Sequence, residues 1–154
     1  MSVQIVLGSK SDMKVAEKAV SVLKELGIPY RIAVASAHRT PELVDQLVNE
    51  ADAEVFIAIA GLSAALPGVI ASKTVRPVIG VPVSGAINLD AILSVVQMPP
   101  GIPVAGVGLD RGENAALLAA SILALKDDRI LAALKAYRQK LKDKVIQDSK
   151  EVEF

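Results

Sequence analysis

The stretch Ile32-Ala33-Val34-Ala35-Ser36-Ala37-His38-Arg39-Thr40-Pro41 passes from four apolar residues straight into a polar cluster. The apolar run reads as a buried strand. Thr40 stands where a helix N-cap is wanted, and Pro41 suits the first helical position, where its missing N–H costs nothing. The polar cluster is therefore the turn at the carboxyl end of a strand, running into a helix. In open α/β sheets that is where ligands bind. His38 is the only histidine in the chain, and it brings a group that titrates near neutrality. Arg39 adds a permanent cation, and Ser36 and Thr40 add two hydroxyls. A lone histidine in a turn commonly does no more than bond the turn backbone. With a hydroxyl and a guanidinium beside it, His38 is a candidate acid–base group.

The same pattern repeats on either side. Val3 to Leu7 reads as a strand ending at Gly8-Ser9-Lys10-Ser11-Asp12. A helix follows, with Ala16, Ala19, Val20, Leu23 and Leu26 on one stripe and Gly27 as its C-terminal cap. The helix from Pro41 turns Leu43, Val44 and Leu47 inward. Further strands are expected at Val55 to Ala60, Val78 to Val81 and Val104 to Val107. Helices are expected to about Ser72, from about Leu89 to Val96, and from Gly112 to Leu125. Asp127 and Asp128 open a last helix, to about residue 146, where negative charge suits the helix dipole. Its stripe is Ile130, Leu134, Tyr137, Leu141 and Val145. It either packs on its own domain or reaches over a neighbouring subunit. The tail after Gln147 is polar, and fraying is expected there.

Apolar strands alternating with helices predict a parallel sheet covered on both faces. Five such strands predict a flavodoxin-like three-layer α/β fold of order 2-1-3-4-5, with a crevice between the first and third strands. The chain reads as a single domain over residues 1–154, with a core at about 3–125 and a C-terminal helix at about 127–146.

Composition narrows the function. Lys+Arg and Asp+Glu number 17 each, so no broad nucleic-acid surface is expected. There is no cysteine, which removes disulfides and thiolate metal sites, and one histidine is too few for an ordinary zinc site. No metal and no nucleic-acid partner are expected. Aromatics are 3% of the residues, too few for base-stacking platforms. No apolar run approaches the roughly 18 residues of a membrane span, and no signal peptide is read at Met1. A soluble, cytoplasmic domain acting on a small molecule is expected. The 52% apolar content in so short a chain also points to surface buried between subunits.

The turn Gly8-Ser9-Lys10-Ser11-Asp12 is either a phosphate cradle or the capped start of a helix. It combines a glycine, two hydroxyls and the free N–H groups of a helix N-terminus, and it matches neither a P-loop nor a dinucleotide fingerprint. Asp12 would repel a phosphate and better suits a sugar hydroxyl. In order 2-1-3, the first three turns line one crevice, so Arg39 with Ser9, Ser11 and Ser36 can hold one phosphate. The segment Gly61 to Gly68 offers backbone N–H groups and room for a flat ring, or else tight helix–sheet packing. Asp110, Arg111, Glu113 and Asn114 read as helix capping and surface pairing.

These motifs, with Leu66-Pro67-Gly68, Pro77 to Val83 and Ser94-Val95-Val96-Gln97-Met98-Pro99, occur in an order that resembles the N5-carboxyaminoimidazole ribonucleotide mutases of purine biosynthesis. They are the catalytic-subunit type of the phosphoribosylaminoimidazole carboxylase family. The resemblance spans roughly Val3 to Leu125. It implies a flavodoxin-like subunit in a homo-octamer without metal or organic cofactor. It also implies an intramolecular carboxylate transfer, from the exocyclic nitrogen of an aminoimidazole ribonucleotide to ring carbon 4. Substrate-binding residues carried over by the resemblance are Gly8, Ser9, Ser11, Asp12, Ser36, Ala37, Arg39, Gly61, Leu62, Ser63 and Leu66. Ser9, Ser11, Ser36 and Arg39 would take the phosphate, and Asp12 the ribose. The Gly61–Ser63 backbone would take the ring and carboxylate, and His38 the proton.

The chain departs from that pattern twice. Where the family reads Ala-Ala-His-Leu-Pro-Gly, this chain has Ala65 in place of a second pocket histidine. The loop Ser84 to Asp90 is one residue shorter than the family's and, although it contains Gly85, lacks the glycine of the family's Asn- or Asp-Gly-Leu-Asp segment. Two other functions compete with the mutase reading. One is direct carboxylation of aminoimidazole ribonucleotide with carbon dioxide, and the other is a nucleotide-binding paralogue without catalysis.

Overall fold

The computed structural model describes residues 1–152. Glu153 and Phe154, the end of the polar tail, lie outside the described residues. Five strands form one parallel sheet: β1 (Val3–Leu7), β2 (Tyr30–Val34), β3 (Val55–Ala60), β4 (Val78–Pro82) and β5 (Ala105–Gly106). Their order is β2-β1-β3-β4-β5, as expected. β1 pairs with both neighbours in level register, Leu7 standing beside Val34 and Ile59. The turns that follow these three strands therefore leave the sheet side by side.

Helices α1 (Met13–Glu25) and α5 (Gly112–Leu123) cover one face, and α2 (Pro41–Glu50), α3 (Leu66–Ser72) and α4 (Asn88–Val96) cover the other. Alternate residues of each central strand enter opposite layers. Val55, Ile57 and Ile59 join the α1–α5 core, while Phe56, Ala58 and Ala60 join the other. This is why the central strands read as unbroken apolar runs. Gly112 allows α5 to lie against α1, because a Cβ there would sit 2.1 Å from the Val15 carbonyl oxygen. Gly27 ends α1 at φ +66, with its N–H donated to the Lys24 carbonyl. At the end of the sheet away from the site, Arg76 donates to the carbonyls of Val48, Ala51 and Ala53 and stacks over Phe56 at 4.6 Å.

Several expectations are corrected. β2 is an edge strand, not a buried one. Ile32 is 41% and Val34 45% exposed, because hydrophobicity alone does not distinguish a strand covered by its own domain from one left at the rim. Helix α2 buries Val44 and Val48, leaves Leu47 half-buried and exposes Leu43. β5 is only Ala105–Gly106, and α5 stops at Leu123. The last helix, α6 (Asp128–Glu151), continues beyond Gln147, where fraying was expected. Asp127 caps it by accepting the Arg129 N–H at 2.9 Å. Ile130, Leu134 and Tyr137 pack on the α1–α5 core, but Leu141 and Val145, placed on the same stripe, are exposed. Among the described residues, no helix is long and apolar enough to cross a membrane.

Candidate active site

The turn after β1 is a short 3-10 helix, Lys10–Asp12, leading into α1. The Ser9 hydroxyl accepts the Ser11 N–H at 3.3 Å, and Asp12 Oδ2 accepts the Ser9 N–H at 3.0 Å. Two donors of the helix start are thus satisfied within the turn. Its Ser9 and Ser11 side chains line the crevice. Asp12 is 7% exposed, and its Oδ1 also accepts from the Ser11 hydroxyl at 3.3 Å. Burial raises its carboxyl above the ordinary range. Hydrogen bonds from Ser11 and Ser9 and the charge of Arg39 work against that shift. A desolvated carboxylate with lone pairs left over suits a neutral hydroxyl donor and disfavours a second anion.

The turn after β2 is tightened by Thr40, which does not cap α2 with its side chain. Its hydroxyl instead turns back, accepting the Ser36 N–H at 2.9 Å and donating to the Ser36 carbonyl at 3.3 Å. The Ser36 hydroxyl accepts from the Arg39 backbone N–H at 3.2 Å and from its Nε at 3.3 Å. Arg39 Nη2 reaches the Gly8 carbonyl at 3.1 Å. The guanidinium therefore ties the β2 turn to the β1 turn and holds a cation beside the serines of both. His38, on the β2 turn, is exposed and lines the crevice, and its ring has no hydrogen-bond partner among the described residues.

The third wall follows β3. Ser63 has φ +50, a left-handed conformation that ordinary side chains seldom adopt. Its N–H is donated to Asp90 Oδ2, in the first turn of α4, at 2.8 Å. The Ser63 amide is thus already engaged and is not a free donor, contrary to the sequence reading of this backbone. The neighbouring loop after β4 is held in a similar way, Asp110 Oδ1 accepting the Ser84 N–H at 2.8 Å. Burial opposes ionisation of Asp110, but the hydrogen bonds from Ser84, with Lys18 and Arg111 nearby, hold its carboxyl below the ordinary value. Arg111 and Glu113 form the expected surface pair at 3.2 Å.

The three walls enclose a cavity of about 390 Å³. Gly8, Ser9, Ser11, Asp12, Ser36, Ala37, His38, Arg39, Gly61, Leu62, Ser63 and Leu66, the whole set chosen from the sequence, line it. Ala60 and Ala65 complete the lining. Ala65 presents only a methyl group where the resemblance expects an imidazole. Asp90 was missed by the sequence reading, because an acidic residue in a first helical turn is ordinary helix chemistry and its partner lies 27 residues away.

Fold and site together define a flavodoxin-like α/β protein with a crevice at the switch point of its sheet, lined by serine hydroxyls, a guanidinium, an imidazole and a buried carboxylate. The AIR carboxylase family model matches residues 2–144, and the chain belongs to that family. A relative from Methanocaldococcus jannaschii, an N5-carboxyaminoimidazole ribonucleotide mutase, is 61% identical over 149 residues, which are 96% of this chain and 95% of that protein. The enzyme of the same name from Pyrococcus horikoshii is 50% identical, over 98% of this chain and 88% of its own length. Among solved structures, the PurE of Treponema denticola superposes with a TM-score of 0.88 at 37% identity, over 99% of this chain and 98% of that one.

Proposed function

We propose that the chain is an N5-carboxyaminoimidazole ribonucleotide mutase, acting as one domain over residues 1–154. The observation that carries this reading is the convergence of the β1, β2 and β3 turns on one crevice, in a chain that matches the family over nearly its whole length. Ser9, Ser11, Ser36 and Arg39 take the phosphate, where charge-assisted hydrogen bonds are strongest. Asp12 takes a ribose hydroxyl. Gly61, Leu62 and Leu66 flank the flat ring, and Gly8 and Ala37 allow the substrate backbone to lie close.

The chemistry needs one shuttling proton. The bond from the exocyclic nitrogen to the carboxylate carbon breaks, releasing carbon dioxide, while protonated His38 gives that nitrogen its proton. Ring carbon 4 then attacks the carbon dioxide, forming the new carbon–carbon bond. The tetrahedral carbon loses its hydrogen as a proton to the now neutral imidazole, which ends as it began. Exclusion of water from the crevice by the bound substrate favours recapture of carbon dioxide over its escape. No second imidazole is required, so Ala65 is compatible with turnover.

The enzyme is read as a cytoplasmic homo-oligomer, an octamer by family resemblance. Exposed Ile32 and Val34 on edge strand β2, and exposed Leu141, Val145 and Ile146 on α6, support burial between subunits.

The test is conversion of N5-carboxyaminoimidazole ribonucleotide to the carbon-carboxylated product by the wild type and Ala65→His side by side. Both are expected to be active, with kcat values differing by less than the roughly 10²-fold that one proton-transfer group supplies. An inactive wild type beside an active Ala65→His would replace this reading with that of a non-catalytic paralogue.

A further inference from the structure

We propose that Asp90 is a positioning residue for the reaction: its carboxylate holds the Ser63 loop in the shape that receives the reacting end of the substrate. The inference rests on the mutase reading of the crevice. Ser63 lines the cavity at φ +50, and a residue with a Cβ stays in that region only when its surroundings hold it there. Within the loop, the Ala65 N–H closes a tight turn on the Ser63 carbonyl at 2.5 Å. Leu62 is 78% exposed, so burial of its side chain does not anchor the segment. Among the described residues, the one side chain that hydrogen-bonds this loop is Asp90, through the Ser63 N–H at 2.8 Å.

A carboxylate next to the place where a carboxylate migrates would ordinarily repel it. Asp90 sits in the first turn of α4, and the positive end of that helix offsets its charge. The residue can thus act as an acceptor for the loop amide without opposing an anionic substrate. Without that acceptor, Ser63 is free to relax to negative φ, which would swing Leu62 and the loop carbonyls relative to Ala65 and Leu66. The phosphate end, held by Arg39 and the β1 and β2 turns, lies on the other walls of the cavity.

The experiment compares Asp90→Ala and Asp90→Asn with the wild type in three measurements. These are kcat on N5-carboxyaminoimidazole ribonucleotide, affinity for ribose 5-phosphate, and hydrogen exchange of the Ser63 amide. Asp90→Ala is expected to lose kcat by about 10–100-fold and lose protection at Ser63, while keeping ribose 5-phosphate affinity within about twofold. Asp90→Asn, whose amide oxygen still accepts the Ser63 N–H, should recover protection and most of kcat. Unchanged kcat in Asp90→Ala would overturn the proposal, as would an equal loss of ribose 5-phosphate affinity or an Asp90→Asn as impaired as Asp90→Ala. If the wild type itself turned over nothing, the mutase reading would fail, and the exchange data would still decide whether Asp90 holds the loop.

Discussion

Arg39 Nη2 donates to the Gly8 carbonyl at 3.1 Å, joining turns 31 residues apart at the point where the sheet order reverses. One guanidinium thus does two jobs. It fixes the β2 turn against the β1 turn, and it supplies the fixed positive charge beside Ser9, Ser11 and Ser36.

Arg39→Ala is expected to weaken nucleotide binding by roughly 1.5–3 kcal/mol, the range for a hydrogen bond to a charged group. Arg39→Lys should restore little, because an ammonium cannot bond the Ser36 hydroxyl and the Gly8 carbonyl together as the planar fork does. Calorimetric titration with the nucleotide and with its dephosphorylated nucleoside separates the effects. The nucleoside should bind equally poorly to all three proteins. Equal nucleotide affinity across the three would remove Arg39 from the phosphate site.

His38→Asn should lower kcat by about 10²–10⁴-fold while leaving nucleotide affinity nearly intact. The ring is exposed and makes no hydrogen bond among the described residues, so the melting temperature should not move. A variant that kept more than about a tenth of the wild-type kcat would show that another group carries the proton.

Asp12 links the site to stability. Burial raises its carboxyl above the ordinary value, so the folded state holds this proton more tightly than the unfolded chain does. Across the interval between the unfolded and folded values, the folded state binds more protons, and this group's contribution to stability falls as pH rises. Below that interval the contribution is fully present. Asp12→Asn carries no such charge. Its melting temperature should therefore gain on the wild type as pH climbs through the carboxylate range, while its nucleotide affinity drops. A constant difference between the two melting curves across that range would show that burial of the Asp12 charge does not destabilise the fold.

The exposed half of α6 should decide assembly. Leu141, Val145 and Ile146 are 47%, 66% and 45% exposed, beyond the turns that Ile130, Leu134 and Tyr137 fix to the core. Light scattering should find a stable oligomer for the wild type and a smaller species for Leu141→Glu/Val145→Glu, with the α/β fold retained by circular dichroism. A wild-type monomer at micromolar concentration would sink the oligomer reading.

The crevice was legible in the sequence because each turn carries its own signal. An apolar strand, a small or polar turn and a helix start lie within a few residues of one another at Leu7–Met13, Ala35–Pro41 and Ala60–Leu66. The parallel order then follows from the alternation of strands and helices. Local periodicity could not tell which strand lies at the rim, so β2, read as buried, proved to be half open. It could not say where a long helix leaves the core either, so Leu141 and Val145 were assigned to the same stripe as Leu134. The Thr40 hydroxyl folded back on Ser36, and the Asp90 carboxylate found Ser63 across a crossover. By itself, the sequence determined the strand–helix alternation and the small or polar turn at the end of each strand, because both rest on propensities within a few positions, while the full set of residues sharing the crevice also needed the family resemblance. Only the tertiary structure decided which amides remain free, which carboxylate is desolvated and which loop is pinned, because those depend on atoms brought within about 3 Å from distant parts of the chain.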